Sequence, residues 1–255
     1  MEKDLQSSSK TASEQEDNGT SLLHRRLAHR RQTRTDNDMK FLLHRLIVAG
    51  HLPSGLTDRR TVGVHYEKLN QSLQRSRPGE DITGLLLLYP EHALHVIECS
   101  TETLLSVLQD LRHMQENLHS GLILEPRVLL VSHDLPSRLF QQWNYKLLSE
   151  SDSSRSVGSE DQSSEKLVSE TLHQLLSLGC HLLNIREQIM GSKEIPEELL
   201  KDASELIPPQ AAVSRLVQME SLLSPMHYLS TYYSPLHQLL DSESVWPAVE
   251  HLQII

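Results

Sequence analysis

His92 and His95 stand three residues apart, and Glu98 and Cys99 follow directly. On a helix that spacing would turn two imidazoles to one side, as a tetrahedral metal site needs. In a turn leading into a strand they need not converge, and no acid or cysteine completes a ligand set. No metal site is expected. Cys99 at the end of an apolar run reads as a small core residue, because no base is paired with it. Cys99 and Cys180 form no CxxC pair and no disulfide framework. No GxSxG, P-loop or HExxH motif occurs. An enzyme using a cleft between helices stays open, but nothing in the sequence names its reaction.

These residues lie in the stretch 82–99, ITGLLLLYPEHALHVIEC, around which the chain is organised. Residues 81–89 read as a strand without polar alternation, covered on both faces and central in a sheet. Pro90 and Glu91 supply a turn, and residues 93–99 a third strand. In that strand Leu94, Val96 and Glu98 share one face, and Ala93, His95, Ile97 and Cys99 the other. Upstream, residues 41–50 form the first strand. Val62, Tyr66, Leu69 and Leu73 recur at helical spacing over 61–76. Downstream, Ser100 caps a helix carrying Leu104, Leu108 and Leu111. Residues 122–131 give a fourth strand, in which Pro126 implies a bulge or an edge position. Residues 135–143 read as a short helical turn and 145–149 as a fifth strand. The order β-α-β-β-α-β with a further strand is the split pattern of ferredoxin-like folds. The expected class is α+β.

The flanks are different in kind. Residues 1–38 are polar and expected to be disordered. Within them residues 24–34, HRRLAHRRQTR, form a basic run, read as a solvated tail in preference to an import signal or a docking arm. Residues 151–163 form a linker rich in serine and acids. Beyond it, a leucine stripe predicts a helix over 164–190 closed by Gly191, then helices from Pro196 and over 210–223. Pro225, Pro235 and Pro247 break residues 226–255 into short pieces. Tyr228, Tyr232 and Tyr233 with Met226 make an aromatic cluster, for docking or for packing back onto the domain.

The net charge of −10 offers no long surface for a nucleic-acid backbone. No apolar run reaches about 18 residues and MEKDLQSSSK is too polar for a secretory signal. A soluble, cytoplasmic protein is expected, without membrane or nucleic-acid partners.

The centre of the chain resembles the BLUF family, the flavin-binding blue-light sensor domains. ITGLLLLY followed by ALHVIECS is similar to that family's paired strands. Asp110-Leu111-Arg112-His113 looks like its Asp-Pro-Arg-His helix ending, and residues 135–143, LPSRLFQQW, like its closing Arg-x-Phe-x-x-Trp segment. The likeness covers about residues 41–150, placing a BLUF-like domain at 39–150 and a helical extension at 164–255. It implies a flavin site at four positions, mostly substituted. The family's tyrosine falls on Val48, its glutamine on His95 and its asparagine on Arg77, while its tryptophan is kept as Trp143. Val48 has no hydroxyl to donate a proton or an electron to an excited flavin. The resemblance therefore implies a fold that has lost its photochemistry and carries no cofactor.

The expected function is a non-enzymatic interaction protein, with partners meeting the 164–190 helix. That helix could equally pack on the sheet. The whole pattern resembles vertebrate testis-expressed BLUF-like proteins, which implies a structural role in male germ cells or the sperm flagellum. The alternative is an FAD-binding sensor with altered photochemistry.

Overall fold

In a computed structural model of the protein, residues 42–117, 119–150 and 163–233 are described. The expected tail at 1–38, all of the expected linker at 151–163 except Ser163, and the pieces beyond 233 lie outside the described residues.

Five strands and two helices form the first layer pair: β1 (His44–His51), α1 (Arg60–Ser76), β2 (Thr83–Leu88), β3 (His92–Cys99), α2 (Thr101–Glu116), β4 (Leu124–Ser132) and β5 (Trp143–Leu147). The sheet order is β4-β1-β3-β2-β5. Its first four strands have the ferredoxin-like arrangement, and β5 adds in parallel beside β2. The α+β class expected from the strand order is the one found. β2 and β3 are buried at every position, as their unbroken apolar runs require. The middle strand is β3, however, with β2 between β3 and β5. β4 is an edge strand, and its pairing with β1 slips twice, once at Leu129 and once at Glu125 and Pro126, where Glu125 takes a φ of 47°.

Gly84 is fixed by β2's closeness to β3. It has a φ of 151°, and a Cβ there would collide with the Val96 carbonyl oxygen. Ser100 caps α2 by accepting from the Thr103 amide at 3.4 Å. Residues 133–142 contain no helix, contrary to the helical turn expected at 135–143. The Arg138 guanidinium donates to the carbonyls of Glu98 (2.8 Å) and Asp81 (2.6 Å) and to the Thr83 hydroxyl (3.0 Å). These bonds hold the segment open across the ends of β2 and β3.

The C-terminal part adds α3 (Ser164–Asn184), α4 (Arg186–Ile189), a 3-10 helix (Glu197–Leu206), α5 (Gln210–Val217) and α6 (Pro225–Tyr232). The single helix expected over 164–190 is thus two, with Gly191 in the left-handed region after them at φ 80°. The piece after Pro196 is a 3-10 helix: Leu200, Ala203 and Leu206 recur every three residues, the period of that helix. The helix expected over 210–223 ends at Val217.

The sheet is covered on both sides. Leu46, Val48, Leu86, Leu88, Ala93, Ile97 and Cys99 pack with α1 and α2. Ile47, Ala49, Leu85, Leu87, Leu94 and Val96 pack with Leu167, Leu175, Leu178 and Leu182 of α3 and with α5. Of the two uses of the leucine stripe open in the sequence, packing on the sheet is the one found. Gly179 lets α3 close against the Leu139 and Phe140 side chains, which a Cβ would meet. The same extension closes both sheet edges. Tyr145 donates its amide to Lys193 and accepts from Ile195, each at 2.9 Å, beside β5. On β4, the Val128 amide donates to Leu223 at 2.8 Å, and the Arg127 guanidinium to Val217 and Leu222.

Candidate functional site

Val48 on β1 lies opposite His95 on β3, on the face that packs with α1 and α2. Trp143 enters from β5, in register with Gly84 on the intervening β2. Gly84 has no side chain to bar the indole, and the Trp143 Nε1–H donates to His95 Nε2 at 3.0 Å. From above, the Tyr66 ring meets the His95 ring edge-on, with centroids 4.4 Å apart. Val48, His95 and Trp143 thus lie together on this face.

Arg77 does not join them. It follows the end of α1, about three turns beyond Tyr66, and its amide closes the helix on the Leu73 carbonyl. None of the described hydrogen bonds or ring contacts links it to the other three residues.

His95 is 2% exposed. Burial, and then the neighbouring His65, holds its pKa down to about 3. It is neutral at physiological pH, with Nε2 as acceptor and the proton on Nδ1, which has no partner. The Tyr66 hydroxyl is also buried without a partner, and burial raises its pKa well above the ordinary phenol value. Between α1 and α2, His65 Nε2 meets Asp110 Oδ2 at 3.0 Å. Val62, Tyr66, Leu104, Val107 and Leu108 are all fully buried, which leaves no water-sized gap against them. A three-ring flavin does not fit between the helices as they are packed. Of the four positions, only His95 and Trp143 present ring nitrogens, and those two are bonded to each other.

A second cluster was only partly legible. Glu98, noted in the sequence merely as a neighbour of Cys99, is completely buried. It accepts from Arg45 at 2.6 and 2.9 Å, from the Thr83 hydroxyl at 3.0 Å and from the amides of Leu139 and Phe140. Arg45 is its direct cross-strand neighbour, a pairing visible only once the register is known. Arg45, Thr83 and two amides supply the donors a buried carboxylate needs, so this cluster fixes the strand ends. Cys99 beside it has a thiol pushed up to about 12, chiefly by burial, and is no nucleophile at neutral pH.

His92 and His95 do not converge. His92 stacks on His51 with centroids 4.6 Å apart, and burial lowers its pKa to about 4. In the aromatic cluster Tyr228 packs back onto the domain core while Tyr232 is exposed.

The model of one family, described as testis-expressed protein 47, matches residues 42–234. The chain belongs to that family. The match takes in the sheet, both covering layers and α6, so the family's unit includes the C-terminal extension. Among solved structures, the chain is similar to BlrB, a BLUF protein in its dark state, at 16% identity. That match covers 66% of this chain and 99% of that one, with a TM-score of 0.33. It is similar to a bacterial light-regulated adenylyl cyclase at 16% identity, covering 66% and 41%, with a TM-score of 0.33. Klebsiella pneumoniae BlrP1 matches at 19% identity, covering 42% and 24%, with a TM-score of 0.30. The chain spans less than half of these last two proteins. The ferredoxin-like architecture rests on the strand order itself. No helix among the described residues is long and apolar enough to cross a membrane.

Proposed function

We propose that this chain is a non-enzymatic interaction protein of male germ cells, cytoplasmic or associated with the flagellum. It is built on a BLUF-like fold whose flavin crevice is filled by its own side chains. The observation that carries this reading is the His95 lock: buried opposite Val48, bonded to Trp143 and covered by Tyr66. Its Nε2 is taken by the Trp143 indole, and no phenol is hydrogen-bonded to it that could start a light-driven transfer. Protein partners meet the outer stripe of α3, where Lys166, Glu170 and His173 are exposed at helical spacing, since its leucines are buried on the sheet.

The test is an absorbance spectrum of the purified chain. No flavin band co-elutes, and added FAD leaves the melting temperature unchanged. A co-eluting flavin band sinks the proposal. For the partner face, native partners recovered from testis extract are lost when Lys166→Glu, Glu170→Lys and His173→Glu are combined. Unchanged recovery removes α3 from that role.

A second reading, an FAD-binding sensor with altered photochemistry, draws on the unpartnered His95 Nδ1 and Tyr66 hydroxyl. It needs the α1–α2 gap to open, and the same spectrum decides it.

A further inference from the structure

The outer flank of α1 carries a second feature, which shares Trp143 with the filled crevice. Glu67, Asn70, Gln71 and Gln74 recur along one side of the helix. His65, which reaches α2, lies about 100° to one side of Tyr66, and Glu67 lies about 100° to the other. These residues therefore face β2 and β5 rather than α2. With Ile82, Thr83 and Trp143 they line a cleft of about 240 Å³. The wall is rich in amides, and its carboxylates are Glu67 and Asp81, with Lys193 3.9 Å from Glu67.

Asn70 is the informative residue. It is 5% exposed, and both its Nδ2 and its Oδ1 lack a partner. An unpartnered buried amide is costly, and it is here unpartnered as donor and as acceptor at once. A ligand that answers it must present an acceptor and a donor side by side, as the N7 and N6 edge of adenine does to an asparagine. A cavity of about 150 Å³ holds benzene, so the cleft is of a size for a bicyclic base. Glu67 and Asp81 disfavour a phosphate at its mouth.

We propose that this cleft binds a neutral adenine-type base or nucleoside through Asn70. The experiment is calorimetric titration of the full chain with adenosine, adenosine monophosphate and riboflavin. Adenosine binds saturably and the monophosphate more weakly. Asn70→Ala weakens adenosine by roughly tenfold or more, the loss of one bidentate pair, while its urea midpoint stays at or above that of the wild type. Glu67→Gln narrows the gap between nucleoside and monophosphate. The proposal is overturned if adenosine shows no saturable binding up to its solubility limit. It is equally overturned if Asn70→Ala binds adenosine as well as the wild type does, or if riboflavin competes for the same site. Riboflavin binding would also sink the closed-crevice reading, whereas absent adenosine binding would leave that reading intact.

Discussion

Arg45 and Glu98 face each other across β1 and β3, and their guanidinium and carboxylate meet at 2.6 Å with the glutamate wholly buried. The same carboxylate takes the backbone amides of Leu139 and Phe140. It thereby fixes a segment that has no regular structure of its own. Glu98→Ala leaves one cation and two amides without their acceptor, and is expected to cost about 3–5 kcal/mol. Glu98→Gln keeps one acceptor and costs less. Urea denaturation midpoints of the two variants check the order.

The buried histidines make stability depend on pH. His92 is held at about 4 and His95 at about 3, and His44 is lowered too, all chiefly by burial. Unfolded, each titrates near the ordinary imidazole value of about 6.5. As pH falls below that value, the unfolded chain takes up protons that the folded chain refuses. Stability is therefore full above about 6.5 and declines on acidification, by up to about 1.4 kcal/mol per pH unit for each histidine. The His95 contribution levels off only below about 3. Urea midpoints should hold between about pH 7.5 and 6.5 and fall steadily from there to about pH 5, and the slope should be shallower in His92→Gln. A flat profile contradicts the burial of these rings.

Gly84 should tolerate no side chain. Its φ of 151° and the Val96 carbonyl beside it leave Gly84→Ala strained in backbone and in packing. We expect a loss above about 3 kcal/mol, or no soluble protein. Gly55, beside which a Cβ would meet nothing within 4 Å, is the control and should accept alanine with little change. Thermal melts of the pair separate a specific constraint from a general effect of removing glycine.

Leu175 and Leu178 of α3 are 1% and 0% exposed. Leu175→Ala should cost about 2–5 kcal/mol, while Lys166→Ala on the outer stripe should stay within about 0.5 kcal/mol. Calorimetric melting temperatures of the two variants test whether the leucine stripe is core. Equal, small shifts would return it to the surface.

The strand order was legible because apolar runs such as residues 85–88 state burial directly, and because Pro126 marks an edge. The stretch 135–143 misled, since Leu135, Leu139 and Phe140 have helix-like spacing. Its shape is imposed instead by Arg138 and Glu98, whose partners lie about 40 residues or more away. The resemblance to the BLUF family placed Val48, His95 and Trp143, and strand alternation gave the face on which His95 lies. Their closure could not be read in either way, because it depends on Tyr66 reaching down from a helix. That residue was visible only as one member of an apolar stripe. Asn70 gave no signal in the sequence, as an asparagine inside a helix is ordinarily exposed.

The strand-like chain at 193–195 and the carbonyl of Leu223 occupy the outer margins of β5 and β4. A fragment cut near residue 150 would bare the Tyr145 and Val128 amides at the two sheet margins together with the apolar face now under α3. Such a fragment has the makings of a template for filament growth. The region after the sheet thus covers margins and a face that the strands before it would otherwise leave open. Proteolysis between the two parts would convert the closed fold into a seed for self-association, which light scattering after limited digestion would register.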